Sequence, residues 1–261
     1  MRRVTIRLYG PLNDFVPRER RHVAWPHLFV GGASAKDVIE GFGVPHPEVD
    51  LILLNGKSVP FEYGVQDGDR LAIFARFEVI DVSAVTRVRQ RLPEPIRFVL
   101  DTHLGKLARY LRLAGLDVAY RRAARDDELV GMASHDRRIL LTRDRGLLKR
   151  KAVIYGYFVR ETATYQQLIE VLARFSPLPL APFSRCPGCN ANLREASKAA
   201  IEERLAERTR RAFEQFHECS GCGQLNWKGS HWAQLVRTLE GAVRQAQALP
   251  SVGTEQGRSL G

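Results

Sequence analysis

The sequence predicts an α/β protein, in which a parallel-sheet domain follows a small α+β domain and precedes a cysteine-rich module. Apolar runs alternate with helical patterns through the middle of the chain, which is typical of a parallel sheet covered by helices. Shorter alternating runs, separated by glycine-containing turns, occupy the N-terminal third. Two C-x-x-C pairs stand towards the C-terminal end. These three observations fix the predicted class and the order of its parts.

Length and charge limit the function classes. A chain of 261 residues favours two or three domains. Its net charge of +11 predicts an anionic partner, most often a nucleic acid, with an anionic membrane surface as the lesser option. No apolar run approaches the roughly 20 residues that span a bilayer, and the N-terminus lacks the apolar segment of a signal peptide. We therefore expect a cytoplasmic protein without membrane segments.

The first predicted domain covers residues 1–80. Val4, Ile6 and Leu8 alternate with polar residues, as in a half-buried strand. Ser34 can cap a short helix, and Asn55-Gly56 between two apolar runs indicates a β-hairpin, because both turn residues need a positive φ. A polar, proline-containing linker is expected at 81–95.

The second predicted domain covers residues 96–180. The apolar runs at 96–100 and 138–142 read as strands buried on both faces. Between them, apolar residues recur at helical spacing after Asp101, and Gly115 suits the end of that helix. Alternating strands and helices predict a parallel sheet, whose ligand sites collect beyond the carboxyl ends of the strands.

Acidic residues follow both strands of this domain. Asp101 comes after the first strand and Asp144 after the later one, and Asp126, Asp127 and Glu128 begin a helix between them. Carboxylates that meet at one edge repel unless a cation intervenes, and Mg²⁺ or Mn²⁺ prefers oxygen ligands. We therefore predict metal-assisted hydrolysis of a phosphodiester, with Asp101, Asp126, Asp127 and Asp144 as catalytic residues and Asp101, Asp127 and Asp144 as ligands. Helix capping is the alternative for each aspartate taken alone.

Basic residues crowd the same region. Those flanking Asp144 are the best candidates for RNA phosphate contacts, because they would offset the repulsion between an acidic site and a polyanion. Others are expected to be solvated helix faces. The predicted contacts are Arg143, Arg145, Lys149, Arg150 and Lys151.

The third predicted domain covers residues 181–249 and contains both cysteine pairs. Cys186, Cys189, Cys219 and Cys222 have the spacing of two zinc knuckles, which place four thiolates around one Zn²⁺. A redox dithiol would explain one pair and leave the second unexplained, and His217 is a minor alternative ligand. A charged insert with a helical pattern separates the pairs, and a helix is expected to close the domain.

Further candidates for RNA contact, Trp227 and Lys228, follow the second knuckle. Trp227 can stack on an unpaired base and Lys228 can contact phosphate, although packing of the ribbon onto the preceding domain is an equal alternative for the tryptophan. The Gly- and Ser-rich segment 250–261 is expected to be disordered.

The middle of the chain resembles the Mut-seven C-terminal RNase family, which has a PIN-like RNase domain. The similarity rests on FVLDTHLGKLARYLRLAGLDV, DDELVGMA and RILLTRDRGLLKR and covers about residues 96–245. It implies a metal-dependent ribonuclease whose acidic residues match Asp101, the pair Asp126 and Asp127, and Asp144. The short stretch between Asp101 and Asp126 has no extra helix with a further Glu, so the number of metals stays open. It also stays open whether Asp126, Asp127 or Glu128 is the true ligand.

The N-terminal domain resembles the ubiquitin-like β-grasp fold. The phrases LILLNGKSV and VQDGDRLAIF are similar to the sulfur carriers of thiamine and molybdopterin synthesis. Those carriers end in a free Gly-Gly, whereas Gly31-Gly32 is internal here, so a structural role or a protein partner is expected instead of sulfur transfer. The functional hypothesis is a metal-dependent ribonuclease with structural zinc; the alternative is a non-catalytic RNA- or ribosome-binding adaptor.

Overall fold

The computed structural model describes residues 1–77, 80–88 and 91–249. The tail that is expected to be disordered, residues 250–261, lies outside the described residues. The described chain forms two compact units. Unit 1 contains Met1–Leu92 and Asp144–Phe158, and unit 2 contains Pro93–Arg143 and Val159–Leu249.

Regular elements follow one another in the order that the periodicity predicts. The strands are β1 (Arg2–Tyr9), β2 (Ala24–Phe29), β3 (Leu51–Leu54), β4 (Lys57–Ser58), β5 (Arg70–Phe74), β6 (Phe98–Leu100), β7 (Val118–Tyr120), β8 (Ile139–Thr142), β9 (Gly156–Phe158), β10 (Leu193–Ala196), β11 (Phe216–Cys219) and β12 (Leu225–Trp227). The α-helices are α1 (Ala35–Gly41), α2 (Gly105–Leu113), α3 (Asp126–His135), α4 (Arg145–Leu148), α5 (Thr164–Arg174), α6 (Lys198–Ile201), α7 (Glu207–Ala212) and α8 (Ser230–Ala248).

Unit 1 contains a five-stranded sheet in the order β2-β1-β5-β3-β4. The central pair, β1 and β5, is parallel, and the outer pairs are antiparallel. Alternate residues of β1 face a core that also includes Val38 and Ile39 of α1. A helix packed on a mixed sheet of this order is the expected β-grasp arrangement.

Two local signals in unit 1 act as predicted. Ser34 Oγ accepts a hydrogen bond from the backbone N–H of Asp37, whose carboxylate accepts one from the N–H of Ser34. This reciprocal capping box starts α1. Asn55 and Gly56, with φ of 48° and 83°, form the tight turn between β3 and β4.

Most of the predicted linker and a later segment of the chain belong to unit 1. Val82 and Val88 are buried, and the Thr86 hydroxyl donates to the carbonyl oxygen of Asp50. The stretch from Asp144 to Phe158, which the sequence assigns to the second domain, also belongs to this unit. The compact units therefore divide the chain differently from the domains expected at 1–80, 81–95, 96–180 and 181–249.

Unit 2 contains parallel strands in the order β7-β6-β8. Every residue of β6 and β8 is buried, which confirms the prediction from their continuous apolar runs. Helix α2 packs against β7, and α3 packs against β6 and β8. Gly115 ends the turn after α2 with φ of 90°, and a Cβ there would lie 2.2 Å from the carbonyl oxygen of Ala181. Only glycine fits this close approach.

The C-terminal part of unit 2 combines a small sheet with a long helix. Strands β10, β11 and β12 are antiparallel and adjacent in that order. The charged insert between the cysteine pairs contains the short helices α6 and α7. Helix α8 packs against α5, where Gln245 Nε2 donates to the hydroxyl of Tyr165 at 3.2 Å.

Candidate metal centres

Asp101 lies directly after β6, at the carboxyl edge of the parallel sheet. Its side chain accepts hydrogen bonds from Thr142 Oγ1 at 2.7 Å and from Thr102 Oγ1 at 3.1 Å. Thr142 is the last residue of β8 and is fully buried. The Asp101 carboxylate therefore joins the ends of two neighbouring strands.

The Asp101 carboxylate is buried and lacks a cationic partner. The residue is 7% exposed, and no Lys or Arg of the described residues forms an ion pair with it. It also makes no side-chain hydrogen bond that caps the following helical turn. An unpaired buried carboxylate is costly, and hydroxyl donors offset only part of that cost. This position therefore suits a bound cation better than it suits a cap.

Tyr120 is a residue of this edge that the sequence reasoning missed. It ends β7, and its hydroxyl donates to the carbonyl oxygen of Thr102 at 3.0 Å. A Cβ at Gly105 would lie 2.5 Å from the same hydroxyl, so the glycine makes the contact possible. Two features of the sequence could have indicated it: Tyr120 is a polar aromatic residue at the carboxyl end of a strand, and Gly105 is the first residue of a helix.

The acidic triplet lies in the first turn of α3. Asp126 and Asp127 are exposed, whereas Glu128 is half-buried. Glu128 Oε2 accepts a hydrogen bond from the backbone N–H of Arg125 at 3.2 Å. All three charges interact favourably with the partial positive charge of a helix start. Glu128 therefore has a local structural role at the start of α3.

Asp144 is exposed and caps α4 in unit 1. Its Oδ1 accepts hydrogen bonds from the backbone N–H groups of Gly146 at 2.6 Å and Leu147 at 3.3 Å. Helix capping thus accounts for one oxygen of Asp144, whereas the Asp101 side chain caps no helix.

The residues predicted to contact RNA fall into two groups. The side chains of the first group donate hydrogen bonds to backbone carbonyl oxygens. Arg143 donates to the carbonyl oxygens of Val159, Arg160 and Glu161 in unit 2. In unit 1, Arg145 donates to the carbonyl oxygen of Phe15 at 3.1 Å, and Lys149 Nζ donates to that of Glu40 at 2.6 Å. The second group is exposed and consists of Arg150, Lys151, Trp227 and Lys228.

Trp227 and Lys228 lie beside an aromatic cluster of the small sheet. The Trp227 ring is 6.4 Å from the rings of Phe213 and Phe216, and the residue is 36% exposed. Lys228 Nζ lies 5.7 Å from the centre of the Phe183 ring. Trp227 therefore packs against rings of the ribbon itself while it presents part of its surface to solvent.

The four cysteines form a compact cluster. Their sulfur atoms lie within 4.8 Å of one another, and theirs is the one group of three or more His, Cys, Asp or Glu side chains in the described chain that meets this condition. Cys186 and Cys222 have an Sγ–Sγ distance of 3.8 Å, and Cys189 and Cys219 one of 3.3 Å. Tetrahedral Zn²⁺ with Zn–S bonds near 2.3 Å places its sulfurs roughly 3.8 Å apart. Four free thiols at this spacing fit Zn²⁺.

The environment of the sulfurs differs around the cluster. Burial raises the pKa of Cys186 to about 12. Burial acts in the same direction at Cys219, but hydrogen bonds from the backbone N–H groups of Cys222 and Gly221 outweigh it and lower the pKa to about 6. Backbone donors aimed at sulfur are what a metal-binding knuckle needs to stabilise thiolate. His217 is not part of the cluster; its ring packs against Phe183 instead.

The first knuckle docks on the edge of the parallel sheet within unit 2. Asn190 Oδ1 accepts from the backbone N–H of Val118 at 2.9 Å, and Asn190 Nδ2 donates to Asp117 at 2.9 Å. The buried side chain of Arg112 donates to the carbonyl oxygens of Val118 and Gly188. The knuckle thus covers part of the edge strand β7.

Asp117 is the charged centre of this junction. Burial acts to raise its pKa, but hydrogen bonds from Arg138 and Asn190 outweigh that effect and hold the pKa below its usual value. Arg138 Nη1 lies 2.7 Å from Asp117 Oδ1, and Arg185 Nη2 lies 3.7 Å from Oδ2. Residue types alone do not reveal this network, because its partners are far apart along the chain.

No helix among the described residues is long and apolar enough to cross a membrane. Comparison with known proteins found no matching curated protein and no matching solved structure. The family model described as the Mut7-C RNAse domain matches residues 96–239, and the model described as Mut7-C ubiquitin matches residues 1–81. The first match spans more than half of the chain, so the chain belongs to the Mut7-C RNAse domain family and carries that family's ubiquitin-like domain at its N-terminus.

Proposed function

We propose that the chain is a metal-dependent ribonuclease that hydrolyses RNA phosphodiesters with Mg²⁺ or Mn²⁺ held by Asp101, Asp127 and Asp144. Membership of a ribonuclease family supports the nuclease class. The observation that carries the metal dependence is the Asp101 carboxylate, which is buried between two hydroxyl donors without a cationic partner among the described residues.

The donor chemistry fits such an ion. Three carboxylates supply the hard oxygen ligands that Mg²⁺ and Mn²⁺ prefer. Asp127 and its neighbour Asp126 both stand at an exposed helix start, so either side chain can supply the ligand from α3. Glu128 is the weaker candidate of the triplet because it is half-buried, whereas Asp126 and Asp127 are exposed.

The chain's own residues would hold and orient the reacting groups. Thr142 and Thr102 fix the Asp101 carboxylate, and the cap hydrogen bonds fix one oxygen of Asp144. When bound, the cation would lower the pKa of an attacking water and neutralise charge on the leaving oxygen. Basic side chains would bind the phosphates on either side of the scissile bond.

Exposed side chains are the best-supported candidates for RNA contact. Arg150, Lys151 and Lys228 can reach phosphate, and the exposed part of Trp227 can stack on an unpaired base. Contact with RNA by Arg143, Arg145 and Lys149 remains a prediction, because each donates to backbone carbonyls.

We also propose that the four cysteines hold one structural Zn²⁺. The sulfur spacing and the free thiols support this, and thiols kept for metal suit a reducing compartment such as the cytoplasm. Elemental analysis of the purified chain should find one zinc per chain. Clearly less than one, under conditions where the chain is folded, would rule out the site.

Cleavage assays test the ribonuclease proposal. Labelled single-stranded and structured RNA would be incubated with wild type, Asp101→Asn, and the double variant Asp101→Asn with Asp144→Asn, in the presence of Mg²⁺ or Mn²⁺. Loss of a ligand should reduce the cleavage rate by more than about 100-fold while RNA binding persists. If wild type cleaves no faster than the double variant with either metal, and both bind RNA, the non-catalytic adaptor is the better description.

A further inference from the structure

The stretch from Asp144 to Phe158 packs with the ubiquitin-like domain in unit 1. It begins with the cap residue Asp144, passes through α4 and ends with β9. An isolated four-residue helix is unstable in water, because too few hydrogen bonds compensate for the ordering of its backbone. Contacts outside the helix must therefore fix the shape of this turn.

Arg145 makes the first of these contacts. Its guanidinium carbon lies 5.0 Å from the centre of the Phe15 ring and 5.5 Å from that of Phe158. Nη1 donates to the carbonyl oxygen of Phe15 at 3.1 Å, and Nη2 donates to that of Asp14 at 3.4 Å. A guanidinium held between two rings and two carbonyls has a fixed orientation, which a lysine ammonium cannot reproduce.

Further contacts hold the other end of the helix and the chain beyond it. Lys149 Nζ donates to the carbonyl oxygen of Glu40 at 2.6 Å. The buried His46 places Nε2 2.8 Å from the carbonyl oxygen of Val153 and Nδ1 2.7 Å from the Glu40 carboxylate. The backbone N–H of Phe158 donates to Glu48 Oε1 at 2.6 Å, and Glu48 is 5% exposed.

These contacts bracket α4, the helix that Asp144 caps. The first residue of the helix that Asp144 caps is Arg145, and the residue after its last turn is Lys149. The ubiquitin-like domain therefore anchors both ends of the turn that orients the Asp144 carboxylate. The core of the N-terminal domain is formed by residues of that domain, and Phe158 of this stretch packs against it.

We propose that the ubiquitin-like domain is a built-in scaffold for the Asp144 turn, and that Arg145 is a positioning residue for the metal ligand Asp144. This inference rests on the proposed function, because it takes Asp144 as a ligand. It gives the N-terminal domain a role inside its own chain, whether or not that domain also binds another protein. It also changes the role of Arg145, which holds the turn instead of contacting RNA phosphate.

The conservative variant Arg145→Lys separates the two roles. Lysine keeps the positive charge and hence a phosphate contact, but it loses the paired carbonyl bonds and the stacked geometry. The matched control is Arg18→Lys, an exposed position in the same unit without a proposed function. Lys149→Gln is a second, milder variant that removes the anchor at the other end of α4.

Three measurements on the full chain test the proposal. Hydrogen exchange reports the amides of Gly146 and Leu147, which bond to Asp144. Titration with Mn²⁺ alone, followed by the electron paramagnetic resonance of the free ion, reports metal affinity. Cleavage kinetics report the Mn²⁺ concentration at half-maximal rate, the KM for RNA and the dependence of RNA binding on salt.

The expected result for Arg145→Lys is exchange at Gly146 and Leu147 that is at least about tenfold faster, with Mn²⁺ affinity weakened about tenfold or more and KM for RNA unchanged. Arg18→Lys should change none of these. Unchanged exchange and unchanged Mn²⁺ affinity in both Arg145→Lys and Lys149→Gln would overturn the proposal. If Arg145→Lys does not fold, Lys149→Gln is judged by the same criteria.

Failure of the proposed function would look different. A chain that binds no Mn²⁺ and cleaves no RNA as wild type contradicts the ribonuclease, whereas faster exchange in the variants would still support the scaffold. An RNA-contacting Arg145 would instead lower the salt dependence of binding by about one phosphate contact in Arg145→Gln, with exchange unchanged.

Discussion

The side chains of Thr142 and Asp101 meet at the carboxyl edge of the parallel sheet, where the threonine hydroxyl donates to the carboxylate. Asp101 is identifiable from its place after a buried strand, but the sequence cannot show that the last residue of β8 donates to its carboxylate. The pair depends on the parallel register of β6 and β8, in which Leu100 lies opposite Leu141. The next residue of each strand then reaches the same edge of the sheet.

Replacement of Thr142 tests the strength of this pair. Thr142→Val removes the hydroxyl but keeps the branched shape, so the buried Asp101 carboxylate loses a donor. A hydrogen bond to a charged group contributes about 1.5–3 kcal/mol, and we expect the free energy of unfolding to fall by that amount. Denaturant unfolding without added Mg²⁺ or Mn²⁺ measures the change. Thr142→Ser, which keeps the hydroxyl, is the control; a valine variant at least as stable as the serine variant would contradict the argument.

The acidic triplet illustrates what sequence alone leaves open. Its position at a helix start was predictable from the charge pattern before an apolar stripe, and α3 does begin at Asp126. The hydrogen bond that Glu128 accepts depends on the backbone turn at Arg125, because that turn brings the N–H within reach of the carboxylate. Capping geometry of this kind is set by dihedral angles that residue types only bias.

At the scale of elements, the zinc knuckle has a second role as a cover for β7. Edge strands expose unpaired backbone groups, and natural proteins protect them with charges, bends or covering loops. Asn190, in the turn after Cys189, accepts the hydrogen bond of the Val118 N–H and has a φ of 78°. The conformation of the first cysteine knuckle, which bound Zn²⁺ would stabilise, therefore also completes the pairing of a sheet strand.

Removal of the Asn190 side chain should loosen β7 without affecting the cysteines. Asn190→Gly tolerates the positive φ but loses the bonds to Val118 and Asp117, so we expect a loss of about 1–3 kcal/mol in unfolding free energy. Hydrogen exchange at the Val118 amide should accelerate in the same variant. The control is Asn226→Gly, whose side chain makes an exposed local bond to Gln224. Equal stability of the two variants would show that the knuckle does not support the strand.

Removal of zinc should also loosen β7. A chelator frees the four thiols, which lets the turn around Cys189 reorganise and withdraws Asn190 from Val118. We therefore expect faster exchange at Val118 as well as at the knuckles, while the hairpin amides of unit 1 keep their protection. Exchange that changes only at residues 186–192 and 219–224 would count against this coupling.

At the scale of the whole molecule, sequence periodicity predicts the order of the elements, whereas their division into compact units depends on contacts between distant segments. Each strand of the parallel sheet carries its own apolar signal, and so does the mixed sheet of unit 1. The membership of Asp144–Phe158 in unit 1 instead depends on long-range bonds such as that between Lys149 and Glu40. A basic residue that binds a carbonyl of another segment looks, in sequence, like one that binds phosphate.

The salt dependence of RNA binding can distinguish basic residues that bind phosphate from those that bind a backbone carbonyl. With a net charge of +11, the chain should bind RNA with an affinity that falls steeply as salt rises, because each phosphate contact releases counterions. Arg150 and Lys151 are exposed, so the double change to glutamine should lower the slope of log affinity against log salt by about 1.4 for single-stranded RNA, at about 0.7 per contact. Arg18→Gln with Lys57→Gln removes equal charge at exposed positions and should lower the slope less. Binding titrations between about 50 and 200 mM salt measure both slopes. Equal slopes for the two double variants would mean that RNA binding follows net charge and that the segment after Asp144 makes no specific phosphate contact.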